Sequence, residues 1–152
     1  MMTRLESLAP DLADDLRRAS PTRQRAASVA ASEFAITRTG VDHPLVKKAL
    51  EHVRGGGILA AKTKAELDAL VARLDEEYFD LQQATEEGRI SSDEYTLRFG
   101  QARAVAALSF AGGENVIEAA PEAIYEAVAT VDDNAELTAL IRSVLSTSGS
   151  QE

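Results

Sequence analysis

Apolar residues recur at the helical interval along almost the whole chain, and no stretch alternates with the period of two that a half-buried strand requires. Leu8, Leu12 and Leu16 lie four apart. Ala26, Ala27, Ala30, Phe34 and Thr37 form a second stripe, and Val46, Ala49, Leu50 and Val53 a third. Leu67, Leu70, Val71, Leu74, Tyr78 and Leu81 share one face of a long segment. Tyr95, Phe99, Ala102, Ala106 and Phe110 align in the next, followed by Ile117, Ala120, Ile124, Val128 and Val131. Leu137, Leu140, Ile141, Val144 and Leu145 complete the series. Such stripes can be buried only against one another, so the pattern predicts an all-α fold, a compact bundle of about seven helices with no strands.

Caps and breakers place the boundaries. Pro10 is tolerable only near a helix start. Ser20-Pro21 reads as N-cap and first helical residue, and Gly40 as the residue that ends that helix. Asp42 is expected to cap a short helix, and Gly55-Gly56-Gly57 to form the most flexible joint of the chain. Thr63 to Glu66 and Ser91 to Glu94 each have the form of a capping box. Gly88 and Gly112-Gly113 are stop signals. The stripe through Ile117 keeps its phase across Pro121, which predicts one helix kinked there. Asp133 to Glu136 opens the last helix, and Ser146 to Glu152 reads as a disordered polar tail. One domain over residues 1–145 is the expected organisation.

The 152 residues suit that organisation, since a chain of this size buries about 70% of its unfolded surface. With no cysteine, disulfides, thiol nucleophiles and thiolate metal sites are excluded. No apolar run approaches the length of a membrane span. Met1 to Pro10 lacks the apolar core of a signal peptide, so a cytoplasmic location is expected. Alanine occurs 27 times and arginine outnumbers lysine twelve to four, a usage that fits GC-rich bacterial codons.

Candidate catalytic and cofactor sites are weak. Gly57 to Thr63 has the outline of a phosphate loop, but Ala61 stands where glycine must precede the lysine, and no strand leads into it. The two histidines, His43 and His52, are nine residues apart rather than at metal-ligating helical spacing. His43 reads as a turn residue beside Pro44, and His52 as a favourable dipole contact near a helix C-terminus. No serine has a histidine–acid context. No enzyme activity, no cofactor and no metal are therefore expected. Asp75, Glu76, Glu77 and Asp80 gather within two turns. With Leu74, Tyr78 and Leu81 inward, Asp75, Glu76 and Asp80 are expected to point to solvent, with Glu77 at the edge.

Charge divides more sharply than any motif. Residues 1–64 hold 11 Lys+Arg and 7 Asp+Glu, giving +4, and residues 65–152 hold 5 and 18, giving −13, which together make the −9 of the whole chain. Asymmetry of this kind points to interaction surfaces, or else to neutralisation of one half by the other. The acidic face of Asp75, Glu76, Asp80, Glu86 and Glu87 is the candidate protein-contact surface. Arg17, Arg18, Arg23 and Arg25 are the candidate basic contact. The leading expectation is a non-enzymatic acidic helical protein-binding module, in its sharpest form an inhibitor or immunity-type protein, with a basic protein partner or self-association. The alternatives are a nucleic-acid-associated regulator using the basic half, disfavoured by a sequence pI near 4.8, a homo-oligomeric scaffold, and an enzyme with a site in the bundle core.

Residues Leu81 to Tyr95 resemble the helical hairpin of short C-terminal (SHOCT) domains, with Gly88, Ile90, Ser91, Glu94 and Tyr95 in the matching places. That resemblance covers about a tenth of the chain, lacks the lysine-rich continuation of those domains, and implies an oligomerising or adaptor role. The chain as a whole is similar to all-helical proteins of high-GC bacteria, a likeness that implies the fold and no activity.

Overall fold

Thr3 and Glu6 cap each other at the start of the chain. The Glu6 N–H donates to Thr3 Oγ1 at 3.1 Å, and the Thr3 N–H donates to the Glu6 carboxylate at 3.2 Å. In this computed structural model, which describes residues 3–88 and 92–146, that capping box opens a five-residue helix, α1 (Arg4–Leu8). Ala9 takes an extended φ of −143° ahead of Pro10, which starts α2 (Pro10–Arg18). A residue before proline is driven out of the helical region, so the expected single row of leucines is broken. Leu5, Leu12 and Leu16 are buried, while Leu8 is exposed. The described residues therefore form eight helices rather than seven, and no strand.

Helix α3 (Pro21–Thr39) begins and ends as its punctuation predicts. Ser20 Oγ accepts from the Arg23 N–H at 3.2 Å, and Gly40 adopts a left-handed φ of 69° at the C-terminus. Its buried face is not the expected one. Ala27, Ser28, Ala31, Ser32, Ala35 and Thr39 are buried, whereas Ala26 and Thr37 are exposed. The hydroxyls explain the change of phase. Ser28, Ser32 and Thr39 donate to the carbonyls of Arg25, Ser28 and Ala35, each at 2.8 Å, so these polar side chains enter the core already satisfied.

Helix α4 (Pro44–Arg54) is capped by His43, whose Nδ1 accepts from the Leu45 N–H at 3.1 Å. Asp42, expected in that role, instead pairs with Lys47 at 2.7 Å. The triple glycine is tied rather than loose. Gly56 turns the chain with a φ of +86°, the Gly57 N–H donates to the His52 carbonyl at 3.2 Å, and His52 Nε2 lies 2.9 Å from the Ile58 carbonyl. Helix α5 (Ala61–Glu86) starts two residues before Thr63, with Ala60 at the cap position and no side-chain cap. Thr63 and Glu66 thus lie inside its first turns.

Helix α6 (Ser92–Ala111) returns along α5. Of the expected Ser91–Glu94 capping box, Ser91 lies outside the described residues, as do residues 147–152 of the expected tail. Helix α7 (Val116–Val128) runs unbroken through Pro121. Proline removes the hydrogen bond to the Ile117 carbonyl, but Ile117 is exposed and water can serve that carbonyl. Helix α8 (Ala135–Ser146) starts as expected, the Asp133 carboxylate accepting from the Ala135 N–H at 2.9 Å.

The centre of the bundle is α3, wrapped by α6, α7 and α8, with α1 on α7, α2 on α8, and α4 against α3 and α6. Its facing positions are alanine: Ala27, Ala31 and Ala35 on α3, Ala102, Ala104, Ala107 and Ala111 on α6, and Ala120, Ala123 and Ala127 on α7 are all fully buried or nearly so. Small side chains here let helices pack with little bulk between them, and Leu5, Leu16, Leu67, Leu108, Ile124, Leu137 and Ile141 fill the remaining volume.

Candidate protein-contact surface

Helix α5 is 26 residues long, about 39 Å at 1.5 Å per residue, but only its first half is held by the bundle. Leu67, Leu70 and Leu74 are buried; beyond them only Ala84 is. On α6, burial starts at Gly100, where Gln101 donates to the Thr39 carbonyl at 3.1 Å across the end of α3. The segments from Asp75 to Glu86 and from Asp93 to Phe99 therefore form a helical hairpin with one another as principal partner.

Four of the chain's seven aromatic residues sit there. The Tyr78 ring packs at centroid distances of 5.3 Å from Phe79, 5.8 Å from Tyr95 and 5.3 Å from Phe99. Tyr78, Tyr95 and Phe99 are half-buried, but Phe79 is 63% exposed. Phe79 escaped the sequence reading. Its signal was available, because position 79 lies about 100° around the helix from Tyr78 and so off the stripe that faces α6.

The expected acidic face divides. Glu76, Asp80 and Glu86 are exposed and make no ion pair with a described residue, and the Glu87 carboxylate accepts from Gln83 at 3.3 Å. Asp75 is half-buried and points into the molecule rather than to solvent. Its two oxygens accept from Arg103 on α6 at 2.9 and 3.1 Å. Arg103 also reaches Glu126 on α7, which in turn accepts from Arg4 on α1. This alternating chain of charges fixes the root of the hairpin to the bundle. Glu77, half-buried, lies 3.6 Å from Arg98.

The candidate basic residues all have partners within the chain, although Arg17 and Arg18 remain exposed. Arg17 pairs with Asp14 at 2.9 Å and Glu6 at 3.5 Å, and Arg18 pairs with Asp14 at 3.1 Å. Arg23 lies 3.5 Å from the Val144 and Leu145 carbonyls near the C-terminus of α8. Arg25 donates to the Ala111 and Glu114 carbonyls at 2.9 and 3.3 Å, closing the end of α6. Cations at helix C-termini satisfy carbonyls that have no partner within the helix. Arg4 with Glu122 and Glu126, and Arg38 with Glu136, likewise spend basic residues of the first half on acids of the second. Hydrogen bonding to Glu122 holds the Arg4 guanidinium above its ordinary pKa.

His43 and His52 serve separate backbone contacts at opposite ends of α4, and no cluster of potential metal ligands occurs among the described residues. One nucleophile-like geometry does occur. Ser109 Oγ accepts from Lys64 Nζ at 2.8 Å and donates to Asp68 at 2.6 Å. Activation requires a base that receives the serine proton. Here the lysine is a donor, the acceptor is a carboxylate, a weak base for a hydroxyl proton, and Ser109 is buried. Among the described residues no helix is long and apolar enough to cross a membrane. No protein-family model matches the chain, and no curated protein or solved structure matches it.

Proposed function

We propose that the chain is a non-enzymatic protein-binding module of the bacterial cytoplasm, and that the distal half of the α5–α6 hairpin is its contact surface. An inhibitor or immunity-type role is the sharpest form of this reading. The observation that carries it is Phe79, a large aromatic side chain held 63% exposed beside Glu76 and Asp80, two exposed acids that make no ion pair with a described residue. Exposed aromatics are favoured anchors at interfaces, and unpaired charge around them accelerates docking of a partner of opposite sign. The scarcity of free cations in the first half supports protein over nucleic acid as the partner, because phosphate binding needs clustered basic groups free to release counterions.

The test compares immobilised native chain with its Phe79→Ser variant in a lysate of the source cells. A protein retained by the native chain, released at high salt and missed by the variant is the expected result. Equal retention by both refutes the reading. Gel-shift titration with duplex DNA across salt tests the regulator alternative, and sedimentation tests the homo-oligomeric scaffold.

A further inference from the structure

We infer that the partner presents a basic amphipathic helix, which lies along α5 with an apolar side chain on Phe79. This deepens the protein-binding reading and rests on it. Ala72, Glu76, Phe79, Gln83 and Glu86 follow one another at intervals of four and three residues, and all five are exposed. That is the spacing by which one helix offers a continuous seam to another. The strip lies about two fifths of a turn from the Leu74–Tyr78 face that packs on α6, and all five of its residues are exposed among the described residues. Its chemistry is that of one half of an interface: a small residue, an acid, an aromatic, an amide and an acid. Glu76 and Glu86 bracket Phe79, separated by about 15 Å along the axis. A helix seated here needs an apolar residue opposite Phe79 and Lys or Arg about one turn to one side and two turns to the other. A second copy of the chain is the poorer occupant, because its own seam of Ala72, Glu76, Phe79, Gln83 and Glu86 offers no cation to meet Glu76 and Glu86.

The experiment uses the full chain and two synthetic 17-residue peptides patterned as amphipathic helices, one of Leu and Lys, the other with Glu at every Lys position. The native chain is expected to bind the Lys peptide and not the Glu peptide. Phe79→Ser should weaken binding at least tenfold. Joint Glu76→Lys and Glu86→Lys substitution should abolish Lys-peptide binding and create affinity for the Glu peptide. A control pair on other surfaces, Glu114→Lys with Asp132→Lys, should change binding less than twofold. All these side chains are exposed, so circular dichroism should show the helices intact. Binding unaffected by Phe79→Ser, or lost equally in the control pair, overturns the seam and leaves attraction by net charge alone. A benzophenone side chain in place of Gln83 separates the inference from the reading beneath it. Photocrosslinking in lysate to a protein that the Lys peptide does not displace discards the helix and retains a protein partner. Crosslinking only to another copy replaces both with self-association, and neither crosslink nor peptide binding removes both.

Discussion

Arg103 on α6 donates to the buried carboxylate of Glu126 on α7 at 2.9 Å. The other terminal nitrogen of the same guanidinium holds both oxygens of Asp75, so one side chain joins α5, α6 and α7. Glu126 is only 4% exposed at its side chain, against 20% for Arg103. Removing the cation leaves the buried Glu126 carboxylate with only the half-exposed Arg4 as its partner, and breaking a buried pair costs about 3–5 kcal/mol. Arg103→Met is expected to destabilise the chain by about 3 kcal/mol in urea denaturation. Adding Glu126→Gln should recover part of that loss, because a neutral amide tolerates the same site better. A double variant as unstable as the sum of the two singles would disprove the coupling.

Gly112 has no room for a side chain. A Cβ there would lie 2.3 Å from Leu59 Cγ and Cδ1, and the Gly112 carbonyl accepts from the Leu59 N–H at 3.0 Å. Leu59 is buried and cannot swing to solvent without opening the core. Gly112→Ala should therefore cost about 2 kcal/mol, within the range for overpacked cores. Thermal denaturation measures it, and an unchanged midpoint would show that Leu59 repacks freely.

Two sequence signals of equal strength met different fates, and substitution separates them. Ser20 caps α3 directly, so Ser20→Ala should lose about 1 kcal/mol. Thr63 lies inside α5 and caps nothing, so Thr63→Ala should remain within about 0.5 kcal/mol of the parent. Chemical denaturation of both variants decides it; a larger loss at Thr63 would place the start of α5 after residue 63.

The Glu6 carboxylate is held below its ordinary pKa, chiefly by the Thr3 backbone N–H. A depressed folded-state pKa contributes stability above the unfolded value, and that contribution is lost as pH falls through the folded one. Glu6→Ala should therefore lower stability at pH 7, and the difference from the parent should shrink on acidification below the ordinary carboxylate range. Denaturation at pH 7, 5 and 3 checks this; a difference that grows with acid would reverse the sign.

The helices were legible in the sequence because each carries its own period and punctuation, and the errors lie where local signals compete. Leu8 followed the leucine row, yet Pro10 forced Ala9 out of the helix and α1 apart from α2. Alanine periodicity misjudged α3, because alanine fits any face while Ser28, Ser32 and Thr39 bonded to their own backbone and took the core. Asp42 was the better capping residue by type, but His43 stood at the cap position beside Pro44. Glu76, Asp80 and Glu86 were legible as a solvated face because an α5 stripe defined what was inward. The partner of Asp75 was not, since Arg103 is 28 residues away in sequence and meets it only through the packing of α6 on α5.

Tyr78 and Phe79 are adjacent aromatics with opposite duties, and that contrast can be measured. Tyr78 is half-buried at the centre of the ring cluster and touches Phe79, Tyr95 and Phe99. Truncation there removes packing between α5 and α6. Tyr78→Ala should cost about 2 kcal/mol, less than for a fully buried ring because half of its surface already meets water. Phe79 contacts the cluster through Tyr78 alone among the rings, and most of its surface is exposed. Phe79→Ala should change stability by no more than about 0.5 kcal/mol, as for other surface positions. Denaturation of the two variants side by side, with hydrogen exchange along the hairpin, tests the division. If Phe79→Ala proves as costly as Tyr78→Ala, the exposed ring serves the fold, and its claim to serve a partner loses its foundation.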